Sequence, residues 1–333
     1  MRETEPSAQL FAASLPDGIV VVDSFHNVLW YNENAGSILS FDANKTINLL
    51  NVFESDFIKR LFSLPKSDTL ELVSPFDENT YLSLCVRPFY QGQFILVIKN
   101  ITHRRHLEAI RHDFVANVSH ELRTPLTVFH GYLELLLSNS AISADKLREI
   151  LLQMSGQAGR MERLVEDLLL LAKLESVEPD LTRYRQQSVS VVIKDVLRDA
   201  ESLSEGRHTI ATRVPDSLLL FADPQELRSA VSNLVFNAVR YTPSGGEIVI
   251  SAYHVENTLV IEVRDNGIGI AEKHISRITQ RFYRVDKSRT YRGQGGTGLG
   301  LAIVKHVALR HGAELKIESE KDRGSVFRLI FPQ

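Results

Sequence analysis

Residues 119–126 read Ser-His-Glu-Leu-Arg-Thr-Pro-Leu, SHELRTPL, inside a run where Leu107, Ile110, Phe114, Val118, Leu122 and Leu126 recur at intervals of three and four. That period predicts one long amphipathic helix over 103–138. Pro125 has no amide to offer the carbonyl of Glu121, so the helix is expected to bend just after the histidine. His120 lies off the apolar seam with Glu121 beside it. A carboxylate that takes the Nδ1 proton leaves Nε2 free to attack phosphorus. A lone histidine of this kind is more often a solvated surface residue, so its context has to decide. Turn residues at 139–143 precede a second stripe, Leu147, Ile150, Met154, Met161, Leu164, Leu168 and Leu171, which predicts a helix to about 175. The two helices form a hairpin. Such a hairpin completes a four-helix bundle when a second copy packs on it, so a homodimer is expected.

Outward from the hairpin, the 333-residue chain has material for two or three domains. Hydrophobic residues at 44% and charged residues at 24% exclude a wholly disordered or collagenous chain. The balance of 38 basic and 41 acidic side chains gives −3, which offers no global field for nucleic acid, and no direct nucleic-acid partner is expected. A single cysteine, Cys85, excludes an intrachain disulfide, suits a reducing cytosol, and sits in a strand pattern as a core residue. No apolar run approaches the 18 or so residues of a membrane span, and the N-terminus lacks the core of a signal peptide, so a cytoplasmic chain is expected.

Residues 18–32, GIVVVDSFHNVLWYN, read as strand, turn, strand, with further strands at 69–74, 80–90 and 93–99 and short helices between 32 and 64. This makes 1–102 an α+β domain. The hairpin occupies 103–176, and 176–186, with Pro179, reads as a linker. From 187 to 333, helices at 188–203, 223–241 and 299–311 alternate with strands around 217–221, 247–253, 258–264, 314–319 and 325–331. That pattern is an α/β sandwich on a mostly antiparallel sheet.

Four further stretches carry chemistry. In NLVFNAVRYT, 233–242, Asn233 and Asn237 share one helical face, where two amide oxygens suit Mg²⁺ alongside phosphates. Arg240 lies a turn further and could hold a phosphate, and Tyr241 could pack on a purine. In DNGIGI, 265–270, glycines allow backbone approach to a ligand, and Asp265 can accept from an adenine amine. In GQGGTGLGL, 293–301, a glycine loop feeds a helix N-terminus suited to triphosphate oxygens. It has neither Walker A nor Rossmann spacing. The basic stretch RFYRVDKSRTYR, 281–292, suits a closing lid. Each stretch alone is equally compatible with an ordinary polar helix face, turn or charged loop.

Taken in order, HELRTPL, NLVFNAVRYT, DNGIGI, RFYRVD and GQGGTGLGLAIVKH resemble the H, N, G1, F and G2 boxes of the sensor histidine kinases of two-component systems, over about 105–333. The resemblance implies a multidomain α+β chain: a dimeric phosphotransfer hairpin followed by a Bergerat-type ATP-binding α/β sandwich. Residues 8–102, with PDGIVVVD, YNENA and IKNITHRRHLE, resemble a PAS domain. It further implies His120 as phosphoacceptor, Glu121 as its acid/base, and Asn237, assisted by Asn233, as Mg²⁺ ligand. Arg240, where a lysine is commoner, would hold phosphate with a different donor geometry. Asp265 would read adenine with Tyr241 near it, and Arg284 would reach the γ-phosphate. Gly267, Gly269, Gly296, Thr297, Gly298, Leu299 and Gly300 would shape the ATP pocket, and Thr124 would position water in a phosphatase reaction. The implied cofactors are ATP and Mg²⁺, and the implied partner is a response-regulator receiver domain.

Within that family, FVANVSHELRTPLTVFHGYLELL, SNLVFNAVRYTP and RITQRFYRVDKSR are similar to the phosphate-regulon sensors. Those sensors usually carry N-terminal membrane helices and respond through the phosphate transporter and its accessory protein; this chain shows no such helix. The expected regulation is a PAS rearrangement that twists the helix around 103–112 and governs access to His120. The rival readings are a mechanical or DNA-repair ATPase of the same ATP fold, which would lack an H box on a hairpin, and a non-catalytic scaffold, against which the intact boxes count.

Overall fold

The computed structural model describes residues 13, 15–41, 46–65, 68–138, 142–285 and 296–332. Two compact units result, 1–113 and 114–333.

In the first unit, β1 (Gly18–Val22) and β2 (Val28–Tyr31) are joined by a turn in which Asp23 Oδ1 accepts from the amides of Phe25 and Asn27, both at 2.8 Å. Asn32 then caps α1 (Glu33–Ile38), its Oδ1 accepting from Ala35 N at 2.9 Å. After α2 (Ser55–Ser63) come β3 (Leu70–Ser74), β4 (Asp77–Pro88) and β5 (Phe94–Asn100), which complete an antiparallel sheet of order β2-β1-β5-β4-β3. Val20, Val22, Leu82, Leu84, Leu96 and Ile98 meet Ala35, Leu39, Ile58 and Leu61 in the core. Cys85 is not part of that core. Strand alternation turns Leu82 and Leu84 inward, and Cys85 is only half-buried beside Val97.

Helix α3 (Thr102–Ser138) leaves the sheet without a loop. Ile101 N donates to Tyr81 O at 2.8 Å and Tyr81 N donates to Thr102 Oγ1 at 2.9 Å, so β4 holds the helix start. Arg104 and Arg105 both ion-pair with Glu71 of β3. The helix runs through Pro125 without interruption, and Pro125 is its one buried residue.

In the second unit, α3 continues and is followed by α4 (Ala144–Ser176), capped by Ser143. The stretch expected to be a linker holds a short 3-10 turn (Leu181–Arg183) and then β6 (Arg185–Ser188), which pairs with β8 (Leu219–Ala222). RQQS has no apolar alternation, so its pairing is set by the partner strand alone. Between them lie α5 (Val189–Ser204) and β7 (Thr209–Arg213); after β8 come α6 (Pro224–Tyr241), β9 (Glu247–Val255) and β10 (Thr258–Asp265). The chain ends with a short α7 (Glu272–Ile275), α8 (Gly300–Arg310), β11 (Glu314–Glu320) and β12 (Gly324–Pro332). The sheet order is β11-β12-β10-β9-β7, antiparallel except where β7 runs parallel to β9. β7 and α7 were not expected from the sequence.

The α/β core joins Leu227, Ala230, Val231, Leu234 and Val235 of α6, Ile303, Val304 and Val307 of α8, and Ile250, Ile261, Val263 and Leu329 of the sheet. Leu164, Leu171 and Leu174 of α4 belong to the same core, which is why the hairpin and the C-terminal segment form one compact unit. Among the described residues no helix is long and apolar enough to cross a membrane.

Candidate ATP site and phosphoacceptor

His120 is exposed near the middle of α3. Thr124 Oγ1 donates to the His120 carbonyl at 3.2 Å, a back-bond across one turn. Glu121 does not engage the imidazole. Successive helical residues project about 100° apart, and its carboxylate meets Arg160 of α4 at 3.5 Å across the hairpin.

The nucleotide motifs converge around the C-terminal end of α6. Asp223 caps that helix through the amides of Gln225 and Glu226, Pro224 fills its first turn, and an apolar face sinks into the core. The flanking stripe carries Asn233, Asn237 and Arg240. Asn233 Nδ2 donates to Ser229 O at 3.0 Å, and its Oδ1 lies where a side chain at Gly300 would have to go. No hydrogen bond among the described residues involves the side chain of the half-buried Asn237. Burial, foremost, pulls the Arg240 guanidinium below its ordinary value; Arg163 and Arg160 act in the same sense, and Asp167 opposes them.

Asp265 ends β10 and is buried. Its Oδ1 accepts from Gly267 N at 2.9 Å, and burial pushes the carboxyl up against that hydrogen bond. Gly267 passes so close to the Tyr241 carbonyl that no Cβ fits, and Ile268 N donates to the same carbonyl at 3.1 Å. The Tyr241 side chain itself is exposed. Gly269 follows in the same loop, in front of the turn at Glu320.

On the other side, Gly298 has φ +74°, and a Cβ there would stand 2.8 Å from Phe282 Cα, so the loop needs glycine. Phe282 N donates to Gly298 O at 2.9 Å, tying the F-box stretch to the glycine loop. A Cβ on Gly296 would lie 3.2 Å from Arg240 Nη1. Leu299 is fully buried, so only its backbone faces any ligand. Arg284 is half-buried. The lid expected over 281–292 and the start of the glycine loop lie largely in 286–295, outside the described residues.

The buried Asp265 carboxylate, the half-buried Asn237 and Arg240 and the turns at Gly267 and Gly298 therefore gather around the C-terminal half of α6. That donor set fits a purine at Asp265 and anionic oxygens between Asn237, Arg240 and the α8 N-terminus.

The sequence reading missed Arg160 and Asp167. Thr297 Oγ1 donates to Asp167 Oδ2 at 3.1 Å, which joins the glycine loop to α4. An acid between Leu164, Leu168 and Leu171 in an otherwise apolar stripe was the available signal.

Residues 110–177 match the family described as the His Kinase A (phospho-acceptor) domain, and 222–333 match the histidine kinase-, DNA gyrase B-, and HSP90-like ATPase family. The phosphate regulon sensor protein PhoR of Pseudomonas aeruginosa is 42% identical over 96% of this chain and 72% of its own length. The protein of the same name from Haemophilus influenzae is 34% identical over 96% and 74%, and the sensor-like histidine kinase SenX3 of Mycolicibacterium smegmatis is 33% identical over 96% and 83%. A solved structure of histidine kinase ThkA in complex with response regulator protein TrrA shares the fold, with a TM-score of 0.55, 19% identity and coverage of 98% of this chain and 97% of that one. With both domains matched and relatives aligned along nearly its whole length, the chain belongs to the sensor histidine kinases and is an ATP-binding protein-histidine kinase similar to the phosphate regulon sensors.

Proposed function

We propose that this kinase phosphorylates its own His120 from ATP and passes the phosphoryl group to an aspartate of a response regulator, in phosphate-starvation signalling. One observation carries the reading. The glycine loop bonds Asp167 of α4, which lies seven residues, about 10 Å along the helix, from the Arg160 that grips Glu121 beside His120. The nucleotide cleft and the phosphoacceptor thus belong to one compact unit.

In this reading Asp265 accepts from the adenine amine, Tyr241 borders the base, and Arg240, Arg284 and the backbone of Gly296–Gly300 hold the triphosphate. Asn237, with Asn233, ligates Mg²⁺, which when bound neutralises charge developing on the transferred group. Glu121 turns from Arg160 to the imidazole Nδ1 to activate Nε2. Thr124 orients water for dephosphorylation of the regulator. Phosphoryl transfer asks mainly for positioning and charge stabilisation, so these groups suffice without covalent chemistry from the α/β segment.

Leu107, Ile110, Leu126 and Leu147 of the predicted stripes are all exposed in a single chain, which supports a homodimeric four-helix bundle. The five-stranded antiparallel sheet with short helices after its second strand supports a PAS-like sensor over 1–102, with the hairpin at 103–176 and the ATP-binding domain at 187–333.

The test is incubation with γ-labelled ATP and Mg²⁺. Acid-labile, alkali-stable label on the wild type and none on His120→Gln is expected; equal label on the two proteins would refute the assignment.

A further inference from the structure

The face of α4 turned to the α/β segment is apolar at Leu164, Leu171 and Leu174, all buried, with Leu168 partly so. Asp167 shares that stripe. A carboxylate there is costly without partners. Its partners are Thr297, through the 3.1 Å hydrogen bond, and the positive charges of Arg240 and Arg163. The ATP reading assigns Arg240 and the backbone of the loop that carries Thr297 to phosphate, and Arg240 lies against Gly296 of that loop.

We propose that Asp167 competes with the nucleotide phosphates: its carboxylate holds Thr297 and faces Arg240 while the α/β segment is docked on α4, so docking and triphosphate binding oppose each other. The inference rests on the ATP reading and adds regulation to that site. Both anions draw on Arg240 and on the one glycine loop, which Asp167 holds through the Thr297 hydroxyl and the triphosphate through its amides, and like charges brought together where water is partly excluded repel. Binding linkage is reciprocal, so a triphosphate loosens the docked face by the factor through which docking weakens the triphosphate. The same face has a second clasp. Glu175 of α4 pairs with Arg281 and, at 3.1 Å, with His306, while Phe282 packs on Phe114 with ring centroids 5.8 Å apart. The docked face is thus a self-inhibited arrangement that the substrate itself releases, freeing the ATP-loaded segment to move to His120.

The experiment measures binding of the non-hydrolysable analogue adenylyl imidodiphosphate with Mg²⁺, and of adenosine, to the full chain by titration calorimetry. Asp167→Asn keeps the acceptor for Thr297 and removes the charge. It is expected to bind the analogue about tenfold tighter, a usual size for coupling between sites, while adenosine, which has no phosphates, binds as to wild type. Analogue affinity that is unchanged or weaker, or an equal gain for adenosine, would overturn the proposal. If Asp167→Asn does not fold, Glu175→Gln opens the other end of the same face. It should also tighten the analogue, and no gain there counts equally against the proposal. Failure of both wild type and variant to bind either ligand would instead remove the ATP-site reading, and the competition with it.

Discussion

Glu121 and Arg160 pair across the helical hairpin at 3.5 Å, one residue from the exposed His120. The pair is more than one-fifth exposed on each side, so its net contribution to stability is within about 1 kcal/mol. Its consequence is orientation, because it turns the carboxylate toward α4 and away from the imidazole. In the proposed reaction the carboxylate leaves Arg160 for the imidazole, so Glu121→Gln is expected to slow labelling of His120 by about 10²-fold, the scale of a lost general base, with ATP affinity unchanged. Single-turnover labelling beside a nucleotide titration checks this. Labelling at the wild-type rate would remove Glu121 from the chemistry.

Asp265 is a buried acid whose carboxyl is pushed up by burial. The neutral isostere Asn avoids that desolvation, so Asp265→Asn should fold with little loss of stability near neutral pH. It loses the anionic acceptor for an adenine amine, a hydrogen bond of about 1.5–3 kcal/mol, so ATP affinity should fall roughly 10- to 100-fold. Calorimetric titration together with a thermal melt separates the two effects.

In the C-terminal sheet, the buried Glu262 faces Arg328 across β10 and β12, with Oε2 2.6 Å from Nε. Burial acts to raise the Glu262 carboxyl, but the hydrogen bond and charge of Arg328 outweigh it and hold the group below its ordinary value of 4.5. A carboxyl depressed in the folded state adds stability above its unfolded value, and that stability is lost as pH falls through the folded one. Wild type should therefore melt above Glu262→Gln at pH 7, and the gap should close below pH 4.5. Melts from pH 7 to 3 test this; a gap independent of pH would assign it to packing alone.

The start of α3 is pinned to the first unit by Tyr81, Thr102 and the Glu71 clamp on Arg104 and Arg105. Inserting Gly-Gly after Ile110 costs helix propensity of about 1 kcal/mol per residue and breaks the phase of the helix. Signal-dependent labelling of His120 should become constitutive or silent, while ATP affinity stays at the wild-type value. Regulation that survives the insertion would refute transmission through this helix.

The predicted helical stripes returned as α3 and α4, and the strands of the ATP-binding segment returned with their order along the chain, because period 3.6 and period 2 are written directly in side-chain polarity. β6 and β7 escaped, since RQQS and TIATR owe their conformation to neighbouring strands. The motif glycines were equally legible, because the close backbone approaches at Gly267 and Gly298 leave no room for a Cβ. The sequence alone thus determined the two helices, the glycine turns and the polar side chains that gather around the end of α6. Only the tertiary structure decided that Glu121 faces Arg160, that Leu299 belongs to the core, and that Asp167 reaches Thr297 across 130 residues of chain. Those pairings depend on which faces are brought together when segments distant in sequence share one core, and no local period encodes that.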